Sequence, residues 1–159
     1  METNEQHLFA DPAYQCVQAS GGKRFANYLI DLIVFFIIVF IAAFVVGMLN
    51  PQTINTITEE NTGIDIIENL VYTAIFTLYL FGTEAIFKGK TVGKLITGTR
   101  AVNEDGSNIT AKTALLRSLS RVVPFEVLSA LGSPSYPWHD KWTKTYVIDE
   151  KKSNRPEEQ

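Results

Sequence analysis

The chain has 159 residues, a formal charge of −3 at pH 7, 46% hydrophobic residues and one cysteine. That length sets the expectation of one domain, and a lone Cys16 excludes both an internal disulfide framework and a cysteine-cluster metal site. The average composition would suit a soluble globule, but the apolar residues are gathered into two runs.

Residues 1–22 are polar and acidic, and form a cytoplasmic N-terminal segment in which Tyr14–Ala19 has the composition of a short strand. The first helix is predicted over 23–49. Within it Leu32–Leu49 is an unbroken apolar run, roughly 27 Å long at helical rise, which matches the hydrocarbon core of a bilayer. The run is too long for a signal-peptide core, acids as well as bases precede it, and no Ala-x-Ala site follows. Asn50-Pro51 stops the helix.

A second helix is predicted over 63–87, with Thr62 as N-cap, Asp65 near the positive end of the helix dipole and Lys88-Gly89 as its end. The connection between the two helices holds no Lys or Arg, so all fourteen basic residues fall on one side. The positive-inside rule then puts both termini in the cytoplasm of a multi-pass membrane protein.

Beyond the second helix, Ile96, Thr97, Thr99 and Val102 favour strands and Asp105-Gly106 signals a tight turn. A small cytoplasmic β hairpin is expected, joined by the late run "TKTYVID". Thr110 caps a third helix over 111–131, broken or kinked at Pro124. Lys112, Arg117, Arg121 and Glu126 sit in that helix. Each basic residue near a helix centre costs about 2.5–3.5 kcal/mol to insert, so it is expected to lie at the interface as an amphipathic helix, or to fold against the first two. Residues 150–159 form a charged cytoplasmic tail. The expected class is a mainly α integral membrane protein with two transmembrane helices, one amphipathic interfacial helix and a small cytoplasmic β element.

Arg24, Asn27 and Asp31 share one face of the first helix, and Asn69, Thr73, Thr77 and Glu84 one stripe of the second. Ionisable residues within membrane helices face protein or water and often mark function. The competing reading is a structural clamp. Trp138 and Trp142, with Tyr136, suit an interfacial anchor that would carry Asp140 to the cytoplasmic ends of both helices. The expected functional cluster is Arg24, Asp31, Glu84 and Asp140. Asn27, Thr77, Arg117, Arg121, His139 and Thr145 support it, with Arg24 neutralising Asp31. In that arrangement Glu84 is the proton carrier and Asp31 the cation ligand.

Other motifs are set aside. Gly82 lies too far from Gly89-Lys90-Thr91 for a phosphate loop. Asn108-Ile109-Thr110 is a glycosylation sequon on the cytoplasmic side. His139-Asp140 lacks a nucleophile, and two histidines do not make a metal cluster. The basic residues are interspersed without base-stacking aromatics, which points to anionic lipid headgroups on the cytoplasmic side and away from nucleic acid.

Three segments in order carry a family resemblance. "KRFANYLID" resembles the R-x₆-D signature of the first helix of the RDD family of bacterial membrane proteins. "GKTVGKLITGTRAV" resembles the segment after the family's second helix, and "WHDKWTKTYVI" its closing segment. The resemblance covers roughly residues 19–148 and implies that the family's Arg is Arg24, its first Asp is Asp31 and its second Asp140. Many members have a further hydrophobic hairpin before the second Asp, whereas Val122–Trp138 is too short to cross twice. The resemblance implies a role in transport, with sodium–proton exchange linked to some members. Two helices do not enclose a pore, so transport of a small cation or proton would require a homo-oligomer or a membrane partner. The alternative is a non-catalytic scaffold or accessory subunit. No enzymatic centre, cofactor or metal is expected.

Overall fold

The computed structural model describes residues 16–50, 66–123, 126, 129 and 136–153. Helix α1 (Gly21–Leu49) starts two residues before the expected position because Ser20 caps it, its hydroxyl accepting from the Lys23 amide. Arg24, Asn27, Asp31 and Phe35 are buried on one face, spaced as neighbours on a helix surface. Helix α2 (Ile66–Ile86) is the second long apolar helix. The expected cap at Thr62 and the dipole partner Asp65 lie outside the described residues, as does most of the intervening loop.

The two long helices meet chiefly through aromatic rings. Phe35 packs edge-on against Phe76 at 5.0 Å between centroids and lies 6.0 Å from Tyr79, while Tyr28 meets Phe76 at 6.4 Å. Most of their remaining apolar surface is exposed, as lipid-facing helices require. What fastens each helix is a shorter one. Helix α1 packs on α3 (Val92–Thr97), and α2 packs on α4 (Ala111–Ser120). Then α5 (Trp138–Thr143) lies against α4.

Two sequence expectations are corrected here. Residues Ile96 and Thr97 belong to α3, not to a strand. The Thr91 hydroxyl caps α3 at one end and Gly98, with φ +68°, closes it at the other, so local capping overrides β propensity. The expected local hairpin does not form, while the late run that was expected to join it supplies the partner strand. Strand β1 (Thr99–Asn103) pairs antiparallel with β2 (Thr145–Asp149), Ala101 opposite Val147. The Asp105-Gly106 turn yields only a bridge between Val102 and Asn108, because the chain must turn away for Thr110 to cap α4. On the far edge of β2, Gln18 bridges Ile148 and the Ala19 amide donates to Val147, which ties the N-terminal segment into the domain.

The third predicted helix is also shorter than expected over its described part. It ends at Ser120, followed by a turn at Arg121–Val123. A proline at 124 has no N–H for the Ser120 carbonyl, and its ring opposes a continuing helix. The rest of the expected span to Leu131 lies largely outside the described residues. A small apolar core of Ala19, Ala101, Ile109, Ala114 and Val147 closes under Phe81 and Ala85.

Gly93 sets the spacing of α1 and α3. A Cβ there would come within 2.9 Å of Asn27 Cα and would strike the Asn27 carbonyl oxygen as well. Both obstacles are backbone, so they cannot rotate away. Gly93→Ala is expected to lower stability in detergent by about 1–3 kcal/mol through overpacking. Gly82, on α2 with open space around it, is the control. Gly82→Ala should be neutral or stabilising by up to about 1 kcal/mol. Equal melting behaviour of the two variants would contradict the close approach.

Candidate functional site

The inner ends of α1 and α2, together with α3, α4, α5 and β2, converge on a group of charged side chains. Glu84 is fully buried and receives three cations. Lys94 from α3 and Arg121 (Nη2, 3.1 Å) meet its Oε1, and Arg117 Nε meets its Oε2 at 3.1 Å. Asp140 is equally buried. Arg24 Nη1 pairs with its Oδ2, and Arg117 Nη1 with its Oδ1 at 2.5 Å. Arg117 thus bridges the two carboxylates and also donates to the Thr145 hydroxyl, which itself reaches Asp140. The planar guanidinium, with donors on separate edges, is the side chain able to do this.

Burial would raise the Asp140 pKa, but Arg117 foremost, with Arg24, holds it well below the usual carboxylate range. The same two carboxylates hold Arg117 above its ordinary value although burial opposes them. These are permanent charges. Removing one partner of such a group costs about 3–5 kcal/mol, since the other is left buried and uncompensated.

The pairing of Arg24 differs from the sequence expectation. Arg24 does not neutralise Asp31; it reaches away from α1 to Asp140, and its Nε donates to the Ala19 carbonyl. Asp31 instead accepts from two neutral donors, the Thr91 hydroxyl at 2.5 Å and the Gly93 amide at 2.7 Å. Lys94 and Arg121 act on it only at longer range, and it makes no salt bridge among the described residues. Glu84, expected as the proton carrier, meets three cations at its carboxylate.

The remaining predicted residues are close by. Asn27 bonds the hydroxyls of Thr97 and Thr99, the latter at 2.9 Å, so it fastens α1 to the start of β1. Thr77 is buried, but its hydroxyl returns to the Thr73 carbonyl within α2. His139 Nδ1 faces Glu126 Oε1 at 2.6 Å, while Nε2 faces Arg121 Nη2 at 3.5 Å. A neutral ring with its proton on Nδ1 satisfies both neighbours. Asp31, Asn27, Lys94, Arg121, Glu126 and His139, with Arg24 and Thr77 among others, contribute to the polar lining of a cavity of about 340 Å³, and Phe76, Leu80 and Val122 to its apolar wall.

Sequence reasoning missed Lys94, Thr91, Gly93 and Glu126 as site members. Lys94 read as one more basic residue of the cytoplasmic face. The spacing of Arg117 and Arg121, one helical turn apart, was the visible signal that two cations would meet one carboxylate.

A family model describing the RDD family matches residues 18–144. The chain belongs to the RDD family. Comparison with curated proteins returned no significant match, and neither did comparison with solved structures. In this RDD protein the three residues that the sequence resemblance marks are brought into one site. Arg24 and Asp140 form an ion pair, and Asp31 lies two helical turns along α1 from Arg24. The membrane character of the family agrees with two helices, Gly21–Leu49 and Glu68–Ile86, long and apolar enough to cross a bilayer.

His139 generates a pH dependence. Burial pushes its imidazole down to about 4, against the pull of Asp140. The unfolded ring takes up a proton near pH 6.5 while the folded one does not. Stability is therefore expected to fall as pH drops from about 6.5 towards 4, by up to about 3 kcal/mol. Below that window the depressed carboxyls of Asp140 and Glu126 extend the loss. His139→Gln should flatten the dependence of the melting temperature between pH 6.5 and 4. An unchanged slope in that variant would show that another group is responsible.

Proposed function

We propose that this RDD protein binds and moves a small cation or a proton at Asp31, in the inner membrane of a bacterium. The supporting observation is that Asp31 lines the cavity from a membrane helix and accepts from the Thr91 hydroxyl and the Gly93 amide, without a salt bridge among the described residues, whereas Glu84 and Asp140 are salt-bridged and Glu126 is engaged by His139. A carboxylate in a poorly solvated site with no salt-bridged cation can exchange a proton for a mobile cation, which is the chemical requirement of coupled exchange. Glu84 and Asp140 serve as the fixed frame. Lys94 and Arg121 bring positive charge to the same cavity and would lower the affinity for a cation, which favours release.

Two spanning helices do not enclose a path, so the active form is a homo-oligomer or a complex with another membrane protein. The asymmetry of basic residues supports cytoplasmic termini and contact of Lys88, Lys112, Lys141 and Lys144 with anionic headgroups. Neither nucleic acid nor an enzymatic cofactor has a part in this reading. A scaffold or accessory role is the second reading, favoured by the mutual neutralisation of Glu84, Asp140 and their cations.

Purified protein in proteoliposomes with an entrapped pH dye decides between them. A sodium or potassium gradient is expected to drive proton movement in the parent and in Asp105→Asn, an exposed turn residue outside the cavity. Asp31→Asn should reduce it by about tenfold or more at unchanged thermal stability. Absence of flux in the parent, or equal flux in a stably folded Asp31→Asn, would contradict the Asp31 mechanism. Absence of flux together with a stoichiometric co-purifying membrane protein would establish the scaffold reading.

A further inference from the structure

The short helices are inside out. On α4 the buried residues are Ala114, Arg117 and Ser118, whereas Leu116 and Leu119 are 48% and 51% exposed. On α3 Lys94 is buried and Ile96 is 67% exposed. On α5 His139 and Asp140 are buried, while Trp138 and Trp142 stack at 6.0 Å on the outer surface with Trp142 56% exposed. In water this arrangement is unfavourable twice over. Each large apolar side chain left outside forgoes about 1.5–3 kcal/mol of burial, and each charge taken inside bears a desolvation penalty of several kcal/mol.

The long helices are built the same way. Asp31 and Glu84 face inward, and Ile33 and Leu78 face outward. For them the outer medium is acyl chain. The exposed surface continues from α1 and α2 onto the short helices through Ile86, Phe87, Leu95 and Ile96. Exposed lysines mark where it ends. Lys112 opens α4, Lys141 lies between the two tryptophans, and Lys144 follows α5. Tryptophan and lysine together are the residues of the boundary between headgroups and acyl chains. From Lys112 to Leu119, α4 rises roughly 10 Å, against roughly 15 Å for the hydrocarbon of one leaflet.

We propose that α3, α4 and α5 are immersed in the acyl region of one leaflet, the one in which α1 begins and α2 ends, and do not lie on its surface. The occupant of the exposed apolar collar is lipid. The ion-pair cluster then sits at membrane depth, screened by the collar. This holds whether or not the protein transports an ion, because it depends on the burial pattern alone.

The chain has two tryptophans, both on α5, so its own fluorescence reports the position of that helix. The full chain is reconstituted into phosphatidylcholine–phosphatidylglycerol vesicles with or without brominated acyl chains. Emission is expected to be blue-shifted, insensitive to iodide, and quenched at least about twofold by bromines near the headgroup end of the chain. Moving the reporter to α4, as Leu116→Trp with Trp138→Phe and Trp142→Phe, should shift the strongest quenching to bromines deeper in the chain. Quenching by iodide in place of bromolipid would overturn the proposal. Shielding of the native tryptophans from both quenchers would overturn it as well, since a second copy or another protein would then cover the collar.

Discussion

The structure turns on one guanidinium. Arg117 is fully buried and holds Glu84 on α2 and Asp140 on α5 at the same time, with Thr145 of β2 as a third partner. A buried cation must find its counter-charges, and those available come from elements far apart in the chain. This requirement places α2, α4, α5 and β2 around a single point. Arg24 draws α1 to the same point through Asp140, and Lys94 draws α3 to it through Glu84. Van der Waals packing between α1 and α2 is confined largely to a few rings, so the charges supply much of what defines the arrangement. Lipid offers no hydrophobic drive to join helices, and polar contacts are the interactions left to specify their partners.

The same constraint separates salt-bridged carboxylates from one that is not, among the described residues. Glu84 and Asp140 are held ionised by several cations each, so neither is free to exchange a proton. Asp31 sits on the same buried face of α1 as Arg24, yet accepts from a hydroxyl and a backbone amide and makes no salt bridge among the described residues. Both donors come from the chain entering α3, and Gly93 can serve because the absence of a Cβ lets its backbone approach α1. In the proposed mechanism, stability and reactivity therefore fall to different carboxylates of one cluster.

The two long apolar helices were legible because an uninterrupted apolar run carries its own evidence. So was the inward face of α1, since Arg24, Asn27 and Asp31 repeat at helical spacing. The partners of those residues were not legible. Spacing tells which side chains share a face, but the choice between Asp31 and Asp140 for Arg24 depends on where α5 lies, and no local pattern encodes that. The ribbon was read in part, since the late run was expected to join it but beside a local hairpin that does not form. Asp105-Gly106 marked a turn correctly, yet the strand that pairs with β1 lies more than forty residues further on. At Ile96 and Thr97 two β-prone residues were read as strand although Thr91 and Gly98, the caps of a short helix, flank them. Lys94 escaped notice because its burial follows from the tertiary fold alone.

The most direct measurement of this account is a double-mutant cycle in detergent on Arg117→Met, Asp140→Asn and the two together. If Arg117 holds the buried carboxylate, Arg117→Met alone should lower unfolding free energy by about 3–5 kcal/mol, and the double variant should lose less than the sum of the two single losses, by about 0.5–3 kcal/mol. A single variant as stable as the parent, or two losses that simply add, would contradict it.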